Sequence, residues 1–226
     1  MEVKLIDHMG SDLTVVNAAR VSFDKVSEWD AVPDSGPIEG YLKVEDESLI
    51  MYLASHNHWT PFGHCYLQFH IKAPIFVARQ LAKHQVGLVW NEVSRRYVDS
   101  KPEFFDPVLF RGRAENKKQG SKPVSSIEYD MTPLIEYVTQ CYENMLSKGI
   151  CPEQARMVLP QAMYTEWYWS GSLAAFARVC NLRCKKDTQL ETRFIAHEIS
   201  SLAKEHFPTS WECLITGDLN EQGNST

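Results

Sequence analysis

The sequence predicts a mixed α/β (α+β) fold that is rich in helix and contains few strands. One segment alternates between apolar and polar residues with the period of a strand, whereas several others repeat apolar residues with the period of a helix. Strand and helix patterns do not follow each other in regular alternation along the chain. We therefore do not predict a doubly wound parallel sheet.

The clearest strand is predicted over residues 65–72. Apolar side chains share one face and polar side chains the other, which is typical of a strand with one buried face. The apolar face carries Cys65, Leu67, Phe69 and Ile71. A helix follows over 74–84, because Pro74 suits a first helical turn and Gly87 suits the chain reversal after it.

Four further helices are predicted in the second half of the chain. In the first, Thr132–Lys148, Thr132 is the expected cap, Pro133 takes the first helical position and Gly149 ends the helix. Its apolar stripe consists of Leu134, Val138, Cys141 and Met145. The other three are a short helix opening at Pro152, one over Ser170–Asn181 and one over Asp187–Phe207, which Pro208 stops. Two long polar segments, Ser27–Glu45 and Lys101–Asp130, are predicted loops.

Composition restricts the class of protein. The chain has 226 residues, 44% of them hydrophobic, which suffices for a globular core. No apolar run approaches the roughly 20 residues of a membrane span, and the N-terminus lacks the pattern of a signal peptide, so no membrane partner and a cytoplasmic location are expected. The six cysteines are then expected to be reduced thiols. A formal net charge of -6 argues against a nucleic-acid partner.

A basic stretch within this acidic chain predicts a binding site for an anion. Residues 79–97, RQLAKHQVGLVWNEVSRRY, hold five basic residues and one acid, Glu92. Phosphate is the natural ligand for such a group of cations. Neither GxGxxG nor GxxxxGK[ST] occurs, so phosphates would need side-chain donors. The available arginines are Arg96, Arg156, Arg178 and Arg183.

Other chemistries have weaker support. Four histidines lie between positions 56 and 70, but no ligand set completes a metal site. The simpler interpretation is a turn at HNHWTPFGH, which holds three of them, and no metal is predicted. Ser94, Cys180 and Cys184 lack the surroundings of a nucleophile. For Arg156 and Arg183 the residues alone leave two interpretations open, a ligand contact or a structural charge.

Several segments, in chain order, resemble the flavin-dependent thymidylate synthases. They are NAARVSF (17–23), HNHWTPFGH (56–64), FHIKAPIFVARQ (69–80), NEVSRRY (91–97), ARMVLP (155–160), NLR (181–183) and QLE (189–191). The Arg-His-Arg, seven residues, Ser motif of that family is altered here. This chain has Lys83-His84-Gln85, eight residues, then Ser94.

The resemblance implies a function that composition cannot show. It implies a single domain over 1–226 in which helices pack around a small, mostly antiparallel sheet. The reaction would be reductive methylation of dUMP to dTMP, with methylenetetrahydrofolate as carbon donor and FAD and NADPH as reductants. The implied assembly is a homotetramer with active sites at the subunit junctions.

The resemblance also assigns roles to individual residues. Arg183 would be catalytic, because a cation with a pKa above about 12 can stabilise charge on the pyrimidine without losing its proton. The dUMP site would comprise Gln80, Lys83, Glu92, Ser94, Arg95, Arg96, Arg156 and Arg183. The FAD site would comprise Ser22, His58, Thr60, Lys83, His84, Gln85, Glu92, Ser172 and Arg178.

The altered motif keeps two alternatives open. In one, the flavin and folate chemistry acts on a different substrate or gives a different product, as hydroxymethylation of dUMP or as methylation or hydroxymethylation of dCMP. In the other, the chain is a non-catalytic homologue that only binds nucleotides. Lys83 keeps a charge without the planar fork of arginine, and Gln85 has no charge, so either change is chemically conceivable.

Overall fold

A four-stranded antiparallel sheet lies at the centre of the fold. The computed structural model describes residues 1–31, 40–107, 110–115, 120–122 and 127–216. The strands are β1 (Glu2–Met9), β2 (Asp30–Ala31), β3 (Gly40–Tyr41), β4 (Tyr66–Pro74), β5 (Leu88–Glu92) and β6 (Tyr164–Ser172). The large sheet has the order β1-β4-β6-β5, and β2 pairs with β3 alone.

Helices cover the buried face of this sheet and its ends. The α-helices in the described residues are α1 (Asp12–Arg20), α2 (Val44–Ser55), α3 (Ile75–Leu81), α4 (Thr132–Ser147), α5 (Pro152–Ala155), α6 (Leu173–Arg183), α7 (Leu190–His206) and α8 (Pro208–Leu214). Short 3-10 turns occur at Val21–Phe23, Pro61–His64 and Arg156–Val158. The predicted α+β class with a small antiparallel sheet is confirmed.

The strand predicted from alternation is confirmed in β4, and its apolar face forms the core. Leu67, Phe69 and Ile71 are all buried, as expected for one face of a pleated strand. In the register with β6, Phe69 pairs with Trp169 and Ile71 with Trp167. Phe176 of α6 packs edge-on against Phe69, with ring centroids 5.0 Å apart. The centre of the fold is therefore largely aromatic.

The helix predicted over Ser170–Asn181 is wrong at its start. Residues up to Ser172 belong to β6, and α6 begins at Leu173. The aromatic-rich sequence of β6 places Trp167 and Trp169 in the core by simple alternation. The Ser172 hydroxyl then caps α6 by accepting a hydrogen bond from the backbone nitrogen of Ala175 at 3.3 Å.

Several predicted helix ends also need correction. The helix after Pro74 is shorter than 74–84, because Pro74 closes β4 in an extended conformation and α3 ends at Leu81. Thr132 is not the cap of α4: Met131 holds that position, and the Asp130 carboxylate accepts the Thr132 backbone N–H at 2.9 Å. The helix predicted over Asp187–Phe207 begins at Leu190 and ends at His206. Pro208 follows the end of α7, as predicted, and it is also the first residue of α8.

The predicted apolar stripe of α4 does not enter the core. Leu134 is 45% exposed, whereas Tyr142 is the buried residue of this helix. Val138, Cys141 and Met145 are half-buried, so no member of the stripe is fully buried in the isolated chain.

The two predicted loops are only partly irregular. In Ser27–Glu45, the β2–β3 pair brackets residues 32–39, which lie outside the described residues, and α2 begins at Val44. In Lys101–Asp130, isolated bridges join Phe104 to Met163, Phe110 to Ile127, and Arg113 to Ser121. Residues 108–109, 116–119 and 123–126 of this segment lie outside the description. Among the helices described, none is long and apolar enough to cross a bilayer.

Candidate functional site

The ends of α3 and α6 meet at Arg183. This arginine is the last residue of α6, and its Nε donates a hydrogen bond to Nε2 of His84 at 2.9 Å. Its Nη2 donates to the backbone oxygen of Gln80 at 3.5 Å. The predicted catalytic arginine is therefore held by two residues of the predicted nucleotide and flavin set.

This contact determines the charge state of His84. Burial lowers the pKa of His84, and the positive charge of Arg183 lowers that pKa further. Burial also lowers the pKa of Arg183. Because a guanidinium can only donate, Nε2 of His84 must be the unprotonated nitrogen, and the imidazole is neutral with its proton on Nδ1.

A cavity of about 500 Å³ opens beside Arg183. Its lining includes three cationic side chains, Arg111, Arg183 and Lys185, and one acid, Asp187. Gln80 and Gln189 add amide groups to the same wall. Such a lining suits an anionic ligand with hydrogen-bonding edges.

Gln80 belongs to a continuous hydrogen-bonded chain of side chains. Its Nε2 donates to Oε1 of Gln189, and its Oε1 accepts from the Thr192 hydroxyl at 3.2 Å. Nε2 of Gln189 donates to Glu191 at 3.1 Å. Arg111 closes the chain with an ion pair to Glu191 at 2.6 Å. Four of these residues were not among the predicted site residues, and the QLE match contained the signal for two of them.

A second cavity, of about 400 Å³, gathers a different part of the predicted set. Glu92, Arg95 and Arg156 line it. Glu92 is fixed from two sides: Oε1 accepts from the Thr165 hydroxyl at 2.7 Å, and Oε2 accepts from Trp90 Nε1 at 3.2 Å. Five of the eight predicted substrate residues thus line one of two cavities that have no lining residue in common, and Lys83, Ser94 and Arg96 line neither.

The remaining predicted phosphate contacts, Ser94 and Arg96, flank Arg95 of the second cavity in the sequence. Nε of Arg96 donates to the Ser94 hydroxyl at 3.3 Å, and its guanidinium lies 4.9 Å from the ring centre of Tyr97. Arg156 is exposed, and its Nε donates to the Glu153 backbone oxygen at 3.3 Å. These exposed cations can turn toward a phosphate without first giving up a buried partner.

The residues expected to hold FAD are exposed, with two exceptions. Ser22, His58, Thr60, Lys83, Gln85, Glu92 and Arg178 are exposed, whereas His84 is half-buried and Ser172 is buried. Arg178 Nη2 donates to the Val86 backbone oxygen at 2.8 Å, which ties α6 to the turn that carries Lys83 and His84. The Ser172 hydroxyl is already engaged as the cap of α6.

The chemistry of this set fits a flavin dinucleotide. Cationic Lys83 and Arg178 suit a diphosphate, and the imidazoles, hydroxyls and amide suit ring heteroatoms. The turn at Gly87 is also closely packed: its φ is +76°, and an added Cβ would lie 3.1 Å from the Cβ of Ala175. The backbone can therefore approach α6 closely only because this position is glycine.

Thiol and metal chemistry find little support in the geometry. All six cysteines are free thiols, and burial raises the pKa of Cys65 to about 12. A hydrogen bond from Cys180 lowers the pKa of Cys184, but burial raises that of Cys180 itself. Within the described ranges, no group of three or more His, Cys, Asp and Glu side chains could hold a metal ion.

The fold is α+β, and the cavity beside Arg183 has the cationic lining that suits an anionic ligand. The sequence profile of the thymidylate synthase complementing protein family matches residues 4–209. The flavin-dependent thymidylate synthase of Thermus thermophilus is 39% identical over 214 residues, covering 92% of this chain and 73% of the relative. That of Thermosipho africanus is 35% identical over 231 residues, covering 98% and 95%.

A solved structure shows the same fold. The UMP/dUMP methylase PolB from Streptomyces cacaoi, bound with 5-Br dUMP, superimposes with a TM-score of 0.75 at 28% identity, over 94% of this chain and 93% of that one. The chain belongs to the flavin-dependent thymidylate synthase family. The resemblance drawn from the motifs, the methyltransferase class and FAD as the cofactor of that family are thereby confirmed, and the individual site residues stay predictions.

Proposed function

We propose that the chain reductively methylates dUMP to dTMP, with methylenetetrahydrofolate as carbon donor and NADPH as reductant. It would act in the cytoplasm, as one domain over 1–226. The observation that carries the proposal is the fixed guanidinium of Arg183, which borders a cation-lined cavity of about 500 Å³. The curated relatives at 34–39% identity that cover most of the chain bear thymidylate synthase names, which supports dUMP as substrate.

The role of Arg183 is electrostatic. C5 of a pyrimidine is a weak nucleophile, and a fixed cation beside the ring stabilises the negatively charged, enolate-like form of the ring in which C5 is more nucleophilic. Neutral His84 and the Gln80 carbonyl hold the guanidinium without neutralising it. Arg183 therefore keeps its full charge for the pyrimidine, and no cysteine nucleophile is required.

FAD would be held by the exposed set around Lys83, His84 and Arg178, and when bound it supplies the reducing equivalents. The chain's own residues supply the rest. Arg95, Arg96 and Arg156 would bind the nucleotide phosphate, with Ser94 as a hydroxyl contact. Glu92, fixed by Thr165 and Trp90, would orient the nucleotide or the flavin at the border between them.

The division of the predicted substrate residues supports a homotetramer with sites at the subunit junctions. The first cavity contains Gln80 and Arg183, and the second contains Glu92, Arg95 and Arg156. A second copy of the chain could place one cavity opposite the other and complete the set. Exposed apolar residues close in sequence to Glu92 and Arg156, such as Val89 at 67% and Met157 at 73%, would then become buried.

The test is a product assay with purified enzyme, FAD, methylenetetrahydrofolate and NADPH. Incubation with dUMP should give dTMP, identified by mass. Enzyme that consumes NADPH and folate without forming dTMP would contradict the proposal. Flavin absorbance of the purified protein provides a separate measure of cofactor binding.

The same assay separates the other candidate functions. A hydroxymethyl product from dUMP, or any product from dCMP, would support the alternative that the Lys83-His84-Gln85 variant motivates. UMP is a further candidate, because the solved relative is a UMP/dUMP methylase. Colourless protein that binds nucleotide, and that gains no flavin absorbance after FAD is added, would support the non-catalytic homologue.

A further inference from the structure

A buried ion pair between Arg111 and Glu191 contacts an amide side chain that lines the cavity beside Arg183. Glu191 is 6% exposed, and its Oε1 accepts from Arg111 Nη2 at 2.6 Å. Its other oxygen faces the Gln189 side chain at 3.1 Å. A carboxylate paired with an arginine offers only acceptors, so Gln189 must turn its NH2 group toward it.

The orientation of the Gln189 amide fixes the orientation of the Gln80 amide. With its NH2 on Glu191, Gln189 presents its oxygen to Gln80, and Gln80 must turn its own NH2 group toward that oxygen. The oxygen of Gln80 then accepts from the hydroxyl of Thr192, which is fully buried. Both ends of the Gln80 amide are therefore assigned by a charge that lies two side chains away.

This orientation decides what Gln80 offers to a ligand. Its amide oxygen is occupied by Thr192, and its backbone oxygen accepts from Arg183. The second N–H of the amide has no partner within the described part of the chain. Gln80 lines the cavity, and the group of its side chain that is left without a partner is a donor, which is the type of group that pairs with a ring carbonyl oxygen.

We propose that Glu191 is a positioning residue that, through Gln189 and Gln80, makes the cavity select a pyrimidine with a 4-carbonyl, as in uracil, over one with a 4-amino group, as in cytosine. The inference rests on the proposed function. The 4-amino group of cytosine would place a donor against the N–H of Gln80, and Gln80 cannot present its oxygen instead while Glu191, through Gln189, holds its NH2 group. Arg111, which pairs with Glu191, belongs to the segment between β5 and α4, so this segment also contributes to the selection.

The experiment measures nucleotide binding to the FAD-loaded enzyme by calorimetry, with dUMP and dCMP as separate probes. Wild-type enzyme should bind dUMP more tightly. In Glu191→Gln, an amide at 191 can donate as well as accept, so the chain loses its fixed direction. The ratio of the two dissociation constants should fall by a factor of about ten, the effect of one mismatched buried hydrogen bond.

Two further variants make the result decisive. Gln189→Leu is similar in size and removes the link between Glu191 and Gln80, and the Thr192 hydroxyl can pair with either end of the Gln80 amide, so this variant should reduce the same ratio even if Glu191→Gln folds poorly. Asp46→Asn is the matched control, because Asp46 is a buried carboxylate paired with Arg20 and lies outside the cavity. It should lower the melting temperature and leave the binding ratio unchanged.

The outcomes separate this inference from the proposed function. Wild-type selectivity that persists in both Glu191→Gln and Gln189→Leu, with the fold intact, overturns the positioning role. Equal binding of dUMP and dCMP by the wild type also overturns it, while dTMP formation can still stand. Wild-type enzyme that binds neither nucleotide overturns the proposed function, and the inference with it.

Discussion

At the scale of single residues, the interaction between Arg183 and His84 defines the site. Both groups are partly buried, and burial lowers both of their pKa values. The hydrogen bond of 2.9 Å between them persists only while His84 is neutral. The hydrogen bond therefore links the charged state of Arg183 to the neutral state of His84.

Replacing Arg183 by alanine should abolish turnover and leave the fold intact. A preorganised charge beside the reacting ring is worth a factor of roughly 10²–10³ in rate. Steady-state kinetics of dTMP formation will measure the loss, and circular dichroism will check the fold. Arg193→Ala is the control, because its Nη1 donates to the Lys186 backbone at 3.1 Å, outside the cavity lining. Near-normal turnover in Arg183→Ala would refute the catalytic assignment.

Acid should destabilise the protein through His84. In the unfolded chain this histidine titrates near 6.5, whereas its pKa in the folded protein is lower. As the pH falls below 6.5, the unfolded state binds the proton first, so the stability that is fully present above that value is lost as the pH falls through the folded pKa.

The measurement is the free energy of unfolding against pH for the wild type and for His84→Gln. The glutamine keeps an acceptor for Arg183 but does not titrate. Because burial also lowers the pKa of His197 and His206, the difference between the two proteins isolates His84. Parallel curves between neutral pH and about pH 5 would contradict a depressed pKa at this position.

At the scale of elements, the site depends on the turn between α3 and β5. This turn carries Lys83, His84 and Gln85, and it packs against α6 through Gly87 and the Arg178 contact. On the other side, Gly171 of β6 lies directly against it. A Cβ added at Gly171 would lie 2.4 Å from the Gly87 backbone oxygen and 2.5 Å from the Leu88 side chain.

Gly171→Ala should therefore lower both stability and flavin affinity. The backbone of the turn would have to move, which in a close-packed region costs about 1–3 kcal/mol. Chemical unfolding and FAD titration will measure the two effects. Gly63→Ala is the comparison, since its added Cβ would meet only the Trp59 side chain, at 3.3 Å. Equal behaviour of the two variants would show that close packing at Gly171 does not position the turn.

At the scale of the whole molecule, the two cavities lead to a test of assembly. If Arg183 of one copy and Arg156 of another serve the same site, Arg183→Ala and Arg156→Ala would each be inactive alone. Mixed after reversible unfolding, they would form some sites with both arginines intact. Random pairing in a symmetric oligomer restores up to about one quarter of wild-type activity.

The mixed sample is assayed for dTMP, with each variant refolded alone as the control. Restored activity requires that different copies supply the two arginines. A mixture that stays inactive, although gel filtration shows mixed oligomers, would place both arginines of each site in the same chain.

The sequence alone determined the family, the fold class and the central strand. The family can be identified despite the altered Lys83-His84-Gln85 motif, because the segments on both sides of it resemble the family in the same order. The alternation from Cys65 to Lys72 depends only on local geometry, which one buried face enforces. By contrast, local patterns did not separate β6 from α6, because the Gly171-Ser172 junction is small and carries no strong signal for either a strand or a helix.

Only the tertiary structure decided which side chains meet. His84 and Arg183 are 99 residues apart, and Gln80 and Thr192 are 112 apart. These pairs form because the end of α3 and the turn after it lie beside the last residue of α6 and the first turn of α7, a relation that no sequence period contains. The orientation of Gln80 depends on Glu191 and Arg111 in the same way, since a hydrogen-bond chain acquires its direction only when all of its members are in place.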